Sequence, residues 1–181
     1  AFVEQQRQDA VAALQALRTQ GVSLHLASGD APASVQRFAH AMGIANAHAR
    51  QTPEAKLALV RSLQQQGRVV AMVGDGLNDA PVLAGADVSL AIGDGAALAQ
   101  RAADLVLAGS ALGTVPATLG IARRTRRIIR QNLAWALGYN LLAIPLAATG
   151  NVTPWLAALG MALSSLAVTA NALRLTRVVR P

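Results

Sequence analysis

The chain has 181 residues, 53% of them apolar, which suits one globular domain with a smaller addition and excludes a disordered tail. It contains no Cys, which excludes a disulfide scaffold and any thiolate metal site within it. Aromatic residues make up only 3%, too few rings to stack nucleic-acid bases, so the formal charge of +7 does not by itself indicate nucleic acid.

The first 120 residues alternate between helical and strand patterns. In chain order, the predicted elements are a helix over 9–20, a strand over 22–26, helices over 32–42 and 53–66, and strands over 69–73, 88–92 and 105–107. The third helix has the clearest signals, with Thr52 as N-cap, Pro53 at the first helical position and Gly67 as its stop. This alternation predicts a doubly wound α/β domain with a parallel sheet, whose ligands bind at the carboxyl ends of the strands.

The densest chemistry follows the strand at 69–73, in the string from Gly74 to Pro81. Asp75 and Asp79 lie four residues apart across a glycine-flanked turn and can face one small volume. Two hard oxygen donors suit Mg²⁺ beside a phosphoryl group. The alternative is a turn with solvated carboxylates, which is how we interpret Gly93-Asp94-Gly95.

Two further side chains fit a phosphate site. Lys56 is the only Lys among 16 basic residues, and in the first turn of its helix it could reach phosphate oxygens, although a solvated surface Lys is the alternative. Ser28 and Gly29 follow another strand, where a hydroxyl and backbone N–H groups can cradle an anion; alone they would be a turn. Together with the paired carboxylates they predict a phosphoryl-transfer site without a nucleophile.

The last third of the chain has a different composition. Residues 1–122 hold 8 basic and 9 acidic side chains, whereas residues 123–181 hold 8 basic and none acidic, so we place a domain boundary there. Within the second part, 43 residues from Gln131 to Leu173 carry no charge, enough for two membrane crossings of about 20 residues each. The turn at 149–154 divides them into helices over 133–148 and 154–173.

The Arg clusters at the outer ends of this hairpin indicate membrane-edge anchors rather than a nucleic-acid footprint. Because the turn between the helices has no positive charge, the positive-inside bias places both termini in the cytoplasm. A buried soluble helical hairpin is the alternative. The chain has no initiating Met and no signal-peptide pattern, so we expect it to be part of a longer one.

The predicted crossings contain side chains that could bind a soft metal. Met161 and Ser165 are spaced i, i+4 and therefore share a helix face, and Asn140 lies near the middle of the first crossing. A thioether prefers Cu(I) to hard cations. Packing is the alternative, because Ser lines helix contacts in membranes and Met fills gaps.

The string from Gly74 to Pro81, with Ser28-Gly29-Asp30 and with Lys56 after Pro53, resembles the latter half of the phosphorylation domain of P-type ATPases, a partial haloacid-dehalogenase-like α/β fold. In that family the string is nearly a signature. The resemblance implies that Ser28 binds the phosphoryl group, that Lys56 neutralises it, and that Asp75 holds Mg²⁺ while Asn78 and Asp79 complete the network.

The tail is similar to the last two transmembrane helices of the copper(I)-transporting branch. That resemblance assigns an intramembrane copper pathway to Tyr139, Asn140, Met161 and Ser165. A zinc-type pump would be expected to place charge in these helices. The resemblance further implies Mg²⁺, ATP bound mainly by other regions, Cu⁺ as cargo, and location in a bacterial inner membrane. The expected partners are lipid, the rest of the pump and a copper chaperone, with no nucleic acid.

The chain also departs from the family pattern. The Asp-Lys-Thr-Gly-Thr segment that accepts phosphate is absent, so we expect no ATP hydrolysis by this chain alone. Ser28 and Ala31 stand where the family usually has Thr and Asn, and the three His residues show no ligand spacing. The leading hypothesis is part of a copper-exporting ATPase; the alternatives are a noncatalytic membrane module from a truncated pump and a soluble phosphatase of the same fold.

Overall fold

The computed structural model describes residues 9–74, 79–92, 103–107, 111–150 and 152–176. The chain divides into two compact units, Ala1–Pro116 and Ala117–Pro181. The predicted domain boundary at 122/123 lies a few residues after this division, and it stays a prediction.

The first unit alternates helices and strands as the sequence predicts. Its described elements are α1 (Ala10–Thr19), β1 (His25–Ala27), α2 (Pro32–Ala41), β2 (Asn46–His48), α3 (Pro53–Gln65), β3 (Ala71–Gly74), α4 (Ala80–Gly85), β4 (Val88–Ile92) and β5 (Leu105–Leu107). Thr52 caps α3 as expected, since its hydroxyl accepts a hydrogen bond from the Ala55 N–H at 3.2 Å. Gly67 follows the helix with a φ of 76°, a conformation that favours glycine.

All strand pairs in the described part of the chain are parallel, which confirms the α/β class. The strands form two sheets, β1–β2 and β3–β4–β5, rather than one. Strand β2 and the short helix α4 were not predicted. The strand is only three residues long and consists of Asn, Ala and His, so it lacks the β-branched residues by which a strand is recognised.

The core of the larger sheet centres on β4, which lies between β3 and β5. Its residues Ser89 to Ile92 are all buried, as expected for a middle strand covered on both faces. Leu83 from α4 packs against Ala91 together with Met72. The one polar residue in this strand, Ser89, donates from its N–H and its hydroxyl to Asp104 Oδ2 at 2.8 and 2.9 Å. These donors lower the pKa of the Asp104 carboxyl.

Helices α3 and α4 approach each other closely beside that core. A Cβ placed on Gly85 at the end of α4 would clash with the Leu57 side chain of α3. Glycine therefore permits this close approach, and the approach determines where the first turn of α3 lies relative to the residues that precede α4.

The second unit is a helical hairpin. Its first helix, α5 (Thr114–Ala148), starts three residues before the unit boundary, and its second helix, α6 (Pro154–Ala172), is followed by a 3-10 turn at Leu173–Leu175. The predicted helix over 133–148 is the last part of the 35-residue α5, so the basic segment is helical rather than a linker. Within the described residues, one helix, Pro154–Leu175, is long and apolar enough to cross a membrane, and no residue of its most apolar stretch is buried.

Polar contacts set the antiparallel register of the hairpin. The indole N–H of Trp135 donates to Ser164 Oγ at 3.1 Å, and nearer the open end the Asn171 amide donates to Asn132 Oδ1 at 2.8 Å. Close to the turn, a Cβ placed on Gly160 would lie 2.9 Å from Tyr139 Oη. On α6 the contacting residues are thus glycine, serine and asparagine, types that are common where helices pack against each other in membranes.

Candidate functional site

The first part of the candidate site lies at the carboxyl end of β1. The Ser28 hydroxyl donates to Asp30 Oδ2 at 2.7 Å and accepts from the Asp30 N–H at 3.3 Å. The backbone of Ser28 is held on both sides, because its N–H donates to the His48 carbonyl and its carbonyl accepts from the Gln51 N–H. The hydroxyl is therefore oriented by its own loop and by the segment that follows β2.

That same segment leads into α3 and positions Lys56. Gln51 is followed by the Thr52 cap, and Lys56 lies one turn into the helix, where its N–H donates to the Thr52 carbonyl at 2.9 Å. The loop that fixes Ser28 thus also fixes the start of the helix that carries the only Lys of the chain.

The second part of the site is an ion pair between α3 and the start of α4. Lys56 Nζ lies 2.8 Å from Asp79 Oδ1, with the two side chains only 16% and 13% exposed. The other carboxylate oxygen of Asp79 is directed toward the end of β3, since a Cβ on Gly74 would lie 3.4 Å from Asp79 Oδ2. One carboxylate oxygen of Asp79 thus contacts the Lys56 ammonium, and the other lies near Gly74 at the end of β3.

The structure brings together two of the residues that the sequence placed in this site, Lys56 and Asp79, and separately joins Ser28 to Asp30. Asp75 and Asn78 lie outside the described residues. Their predicted roles in holding Mg²⁺, and those of Ser28 and Gly29 in binding phosphate, stay predictions. The Lys56–Asp79 pair itself was not predicted, because the sequence analysis assigned Lys56 to a phosphate group and Asp79 to Mg²⁺. Each residue lies near the start of a helix that follows a strand, Lys56 in α3 and Asp79 at the N-cap of α4.

Two His residues that the sequence left apart are neighbours across the β1–β2 ladder. The rings of His25 and His48 stack with centroids 5.9 Å apart and planes 6° from parallel. Burial lowers the pKa of His25, and positive charge on His48 and Arg68 lowers it further. Among the described residues, no three His, Asp or Glu side chains come together as a metal site.

The four residues predicted to line a metal pathway occupy two different faces of the hairpin. Tyr139 lies against Gly160 on the face between the helices. Asn140, Met161 and Ser165 are exposed on the outer faces, Met161 to 68%. The Asn140 amide donates to the Ala136 carbonyl of its own helix at 2.9 Å. The serine that accepts a hydrogen bond across the hairpin is the neighbouring Ser164, whose Oγ lies 3.1 Å from the Trp135 indole nitrogen.

Comparison with known proteins agrees with this architecture. Residues 2–87 match the haloacid dehalogenase-like hydrolase family. The chain is 47% identical over 169 residues to cation-transporting P-type ATPase B of Mycobacterium bovis, covering 93% of this chain and 22% of that protein. It is 45% identical over 166 residues to the copper-exporting P-type ATPase of Staphylococcus aureus, covering 92% and 21%.

A solved structure extends the likeness to both units. The crystal structure of a zinc-transporting PIB-type ATPase in its E2.Pi state aligns with a TM-score of 0.86 and 35% identity, covering 94% of this chain and 28% of that one. The first unit is thus a haloacid dehalogenase-like hydrolase domain. Over 92–93% of its own length the chain is homologous to P-type ATPases, and it spans about a fifth of the length of the curated relatives it matches.

Proposed function

We propose that this chain supplies the magnesium- and phosphate-binding half of the phosphorylation domain, and two of the membrane helices, of an ATP-driven copper(I)-exporting pump. The observation that carries the proposal is the Lys56–Asp79 pair at 2.8 Å, which gathers an ammonium and a carboxylate at the end of β3. A largely buried ammonium–carboxylate pair in the same sequence string as Gly74-Asp75-Gly76 is suited to phosphate chemistry, whereas a solvated loop would not need to bury it.

The donor set fits a magnesium ion. Asp79 and Asp75, four residues apart in the sequence, offer hard carboxylate oxygens, and Mg²⁺ takes one or two protein carboxylates and keeps several waters. Bound Mg²⁺ would supply positive charge beside the transferring phosphoryl oxygens. Lys56 would add a second positive charge, and Ser28 with the Gly29 N–H would hold a phosphate oxygen. Asn78 would complete the hydrogen bonds.

The acceptor aspartate of the reaction would come from a part of the pump outside this sequence. Two features support this. The sequence contains no Asp-Lys-Thr-Gly-Thr segment, and β1 and β3 each have a strand partner on one side only among the described residues. A strand carrying the aspartate and pairing with both would join the two sheets and satisfy their open edges. Without it we expect the chain to be inactive.

Copper as the cargo is supported by the chemistry of the hairpin. Residues 131–173 contain no charged side chain, and Met161 offers a thioether, a soft donor that suits Cu(I). The zinc-transporting structure shares the fold at 35% identity, whereas the copper-exporting relative is 45% identical. We place the hairpin in a bacterial inner membrane with both termini in the cytoplasm, next to the rest of the pump and within reach of a copper chaperone.

Two other functions are alternatives to the proposed pump. A noncatalytic membrane module would need no phosphate site, and a soluble phosphatase would need its own nucleophile and would not expose an apolar helix such as α6. The Lys56–Asp79 pair opposes the first, and the helix opposes the second. Coding sequence for an Asp-Lys-Thr-Gly-Thr segment directly upstream would support the pump over the truncated module, and carbonate extraction would separate both from the phosphatase.

The test of the magnesium role compares two Gly-Asp-Gly motifs. In the complete pump, Asp75→Asn should abolish metal-stimulated phosphoenzyme formation, because an amide lacks the charge that holds Mg²⁺. Asp94→Asn, the same change in the motif interpreted as a plain turn, should leave it near the wild-type level. Phosphoenzyme is measured from labelled ATP in acid-quenched membranes, and equal levels in both variants would remove Asp75 from the site.

A further inference from the structure

We propose that the basic face of α5 is a binding site for the phosphate headgroup of an anionic membrane lipid. The inference rests on the proposed membrane position of the hairpin. Four Arg residues spaced i, i+3, i+4 and i+7 lie on this face: Arg123, Arg126, Arg127 and Arg130. With Gln131 and Ala134 they line an open groove of about 420 Å³. We call it the arginine groove.

The stretch of sequence that carries the arginine groove is basic and contains no acidic residue. All four Arg residues are exposed, and residues 105–181 contain neither Asp nor Glu. Neighbouring guanidinium groups such as those of Arg126, Arg127 and Arg130 favour a polyatomic anion, because each can donate two parallel hydrogen bonds to phosphate oxygens. A phosphate diester, which carries one negative charge and two free oxygens, matches this donor set.

The groove lies at the level where the apolar part of the hairpin begins. Gln131, which lines the groove, accepts a hydrogen bond at 3.3 Å from the Asn171 amide near the end of α6. Arg174 donates to Asn171 Oδ1 at 2.9 Å and so adds a fifth positive charge at the same end of the hairpin. From Gln131 to Leu173 no residue is charged. In a membrane this level corresponds to the headgroups.

The surface next to the groove favours a lipid over a free phosphate ion. Arg126, Arg130, Leu133 and Leu137 follow one another at spacings of four, three and four residues, so they form one stripe along α5. Leu133 and Leu137 are 59% and 64% exposed. A phospholipid can place its headgroup in the groove and an acyl chain along these two Leu side chains, whereas inorganic phosphate would use only the Arg residues.

The experiment titrates the detergent-solubilised chain with phosphatidylglycerol and counts bound lipids by mass spectrometry of the intact protein. The groove variant is R126Q/R127Q/R130Q, and the control R37Q/R61Q/R68Q removes the same charge from the first unit. We expect wild type and control to retain phosphatidylglycerol but not phosphatidylcholine, and the groove variant to bind at least about tenfold more weakly. Equal retention by groove variant and control would overturn the site.

A second arm separates a lipid site from a phosphate site. Inorganic phosphate at the same concentration should not displace phosphatidylglycerol, and equal competition would reduce the groove to an anion site and overturn the lipid assignment.

Membrane embedding is measured independently, by carbonate extraction of the chain from neutral phosphatidylcholine vesicles. Extraction of the wild-type chain would contradict the proposed membrane position, while the headgroup titration in detergent would still report on the groove. Circular dichroism confirms that the variants keep their helical content.

Discussion

The pairing of Lys56 with Asp79 shows how one residue can serve both structure and chemistry. The ammonium and carboxylate are largely removed from water, so each depends on the other for its hydrogen bonds and charge. In the proposed site, the same two groups could exchange partners when a phosphoryl group or a metal ion binds, because an ion pair needs no covalent change to open. Before that exchange, the ion pair would keep both side chains in place.

Removal of both partners of the ion pair should cost less stability than the sum of the two single removals. We expect Lys56→Met or Asp79→Asn alone to lower the free energy of unfolding by about 2 kcal/mol, because a largely buried charge is left unpaired. The double variant should be less destabilised than the sum of the two. The measurement is chemical unfolding of the detergent-solubilised chain followed by circular dichroism. Strict additivity would show that the two charges do not interact in solution.

His25 makes the stability of the first unit depend on pH. Its folded pKa lies below the ordinary value of 6.5 because of burial and nearby positive charge, so the unfolded chain takes up the proton first as the pH falls. Stability is complete above pH 6.5 and declines as the pH falls from there to the folded pKa. The unfolding temperature should therefore be lower at pH 5.5 than at pH 7.5. His25→Asn should weaken this dependence, while His40→Asn, an exposed change in α2, should preserve it.

At the scale of elements, the distance between Lys56 and Asp79 depends on how closely α3 and α4 pack. The two helices meet where Gly85 leaves room for Leu57, and Lys56 is the neighbour of Leu57 in the sequence. Any change that separates the helices would also draw the ammonium away from Asp79. Packing at a glycine thus determines the position of a charge.

Gly85→Ala should destabilise the chain by about 1 kcal/mol, the lower end of the usual cost of an extra carbon in a packed contact, because the atom it meets is the movable end of Leu57. The added Cβ would clash with the flexible end of Leu57, so Leu57→Ala in the same chain should recover part of the loss. Gly120→Ala is the control, because a Cβ there meets nothing within 4 Å and a helix interior favours Ala. Chemical unfolding measures all three. A Gly85→Ala chain as stable as wild type would mean that the helices can separate at no cost.

The elements differ in how far the sequence could predict them. Strands β4 and β5 were predicted at their observed ends because they are short apolar runs in which Val, Leu and Ile predominate. Strand β2 was missed because its stability comes from pairing with β1, and pairing leaves no pattern in a segment of Asn, Ala and His. The start of α5 was predicted too late, since the change in charge after residue 122 lies within a helix that continues through it.

At the scale of the whole molecule, the sequence indicates which residue types belong to the candidate site but not which contacts they make. Residue types and strand ends led to the prediction that Ser28, Lys56 and Asp79 belong to one site, and it stays a prediction. The partners that these side chains take depend on contacts between elements distant in the sequence, such as the Lys56–Asp79 bond across 23 residues and the hydrogen bond from Ser28 to the His48 carbonyl. The two separate sheets have the same origin, because the strand proposed to join them is not part of this sequence.

The outer faces of the hairpin are where the proposed cargo would meet the rest of the pump. Trp135 lies opposite Ser164 and Tyr139 opposite Gly160, so Asn140 lies opposite Leu159, two residues or about 3 Å along α6 from Met161. In the proposed pump, an amide oxygen and a thioether at these neighbouring depths, both exposed, would be available to an ion that moves between this hairpin and neighbouring helices.

Met161→Ala in the complete pump should raise the Cu(I) concentration that half-maximally stimulates ATP hydrolysis by about tenfold, a loss typical of perturbing one group at a metal site. Leu163→Ala is the matched control, because Leu163 is a similarly exposed apolar residue two positions along α6 that offers no donor atom. Both variants remove similar apolar surface, so any shared effect reports on packing or lipid contact. Only a change confined to Met161 reports on the thioether, and equal copper dependence in the two variants would assign Met161 to packing.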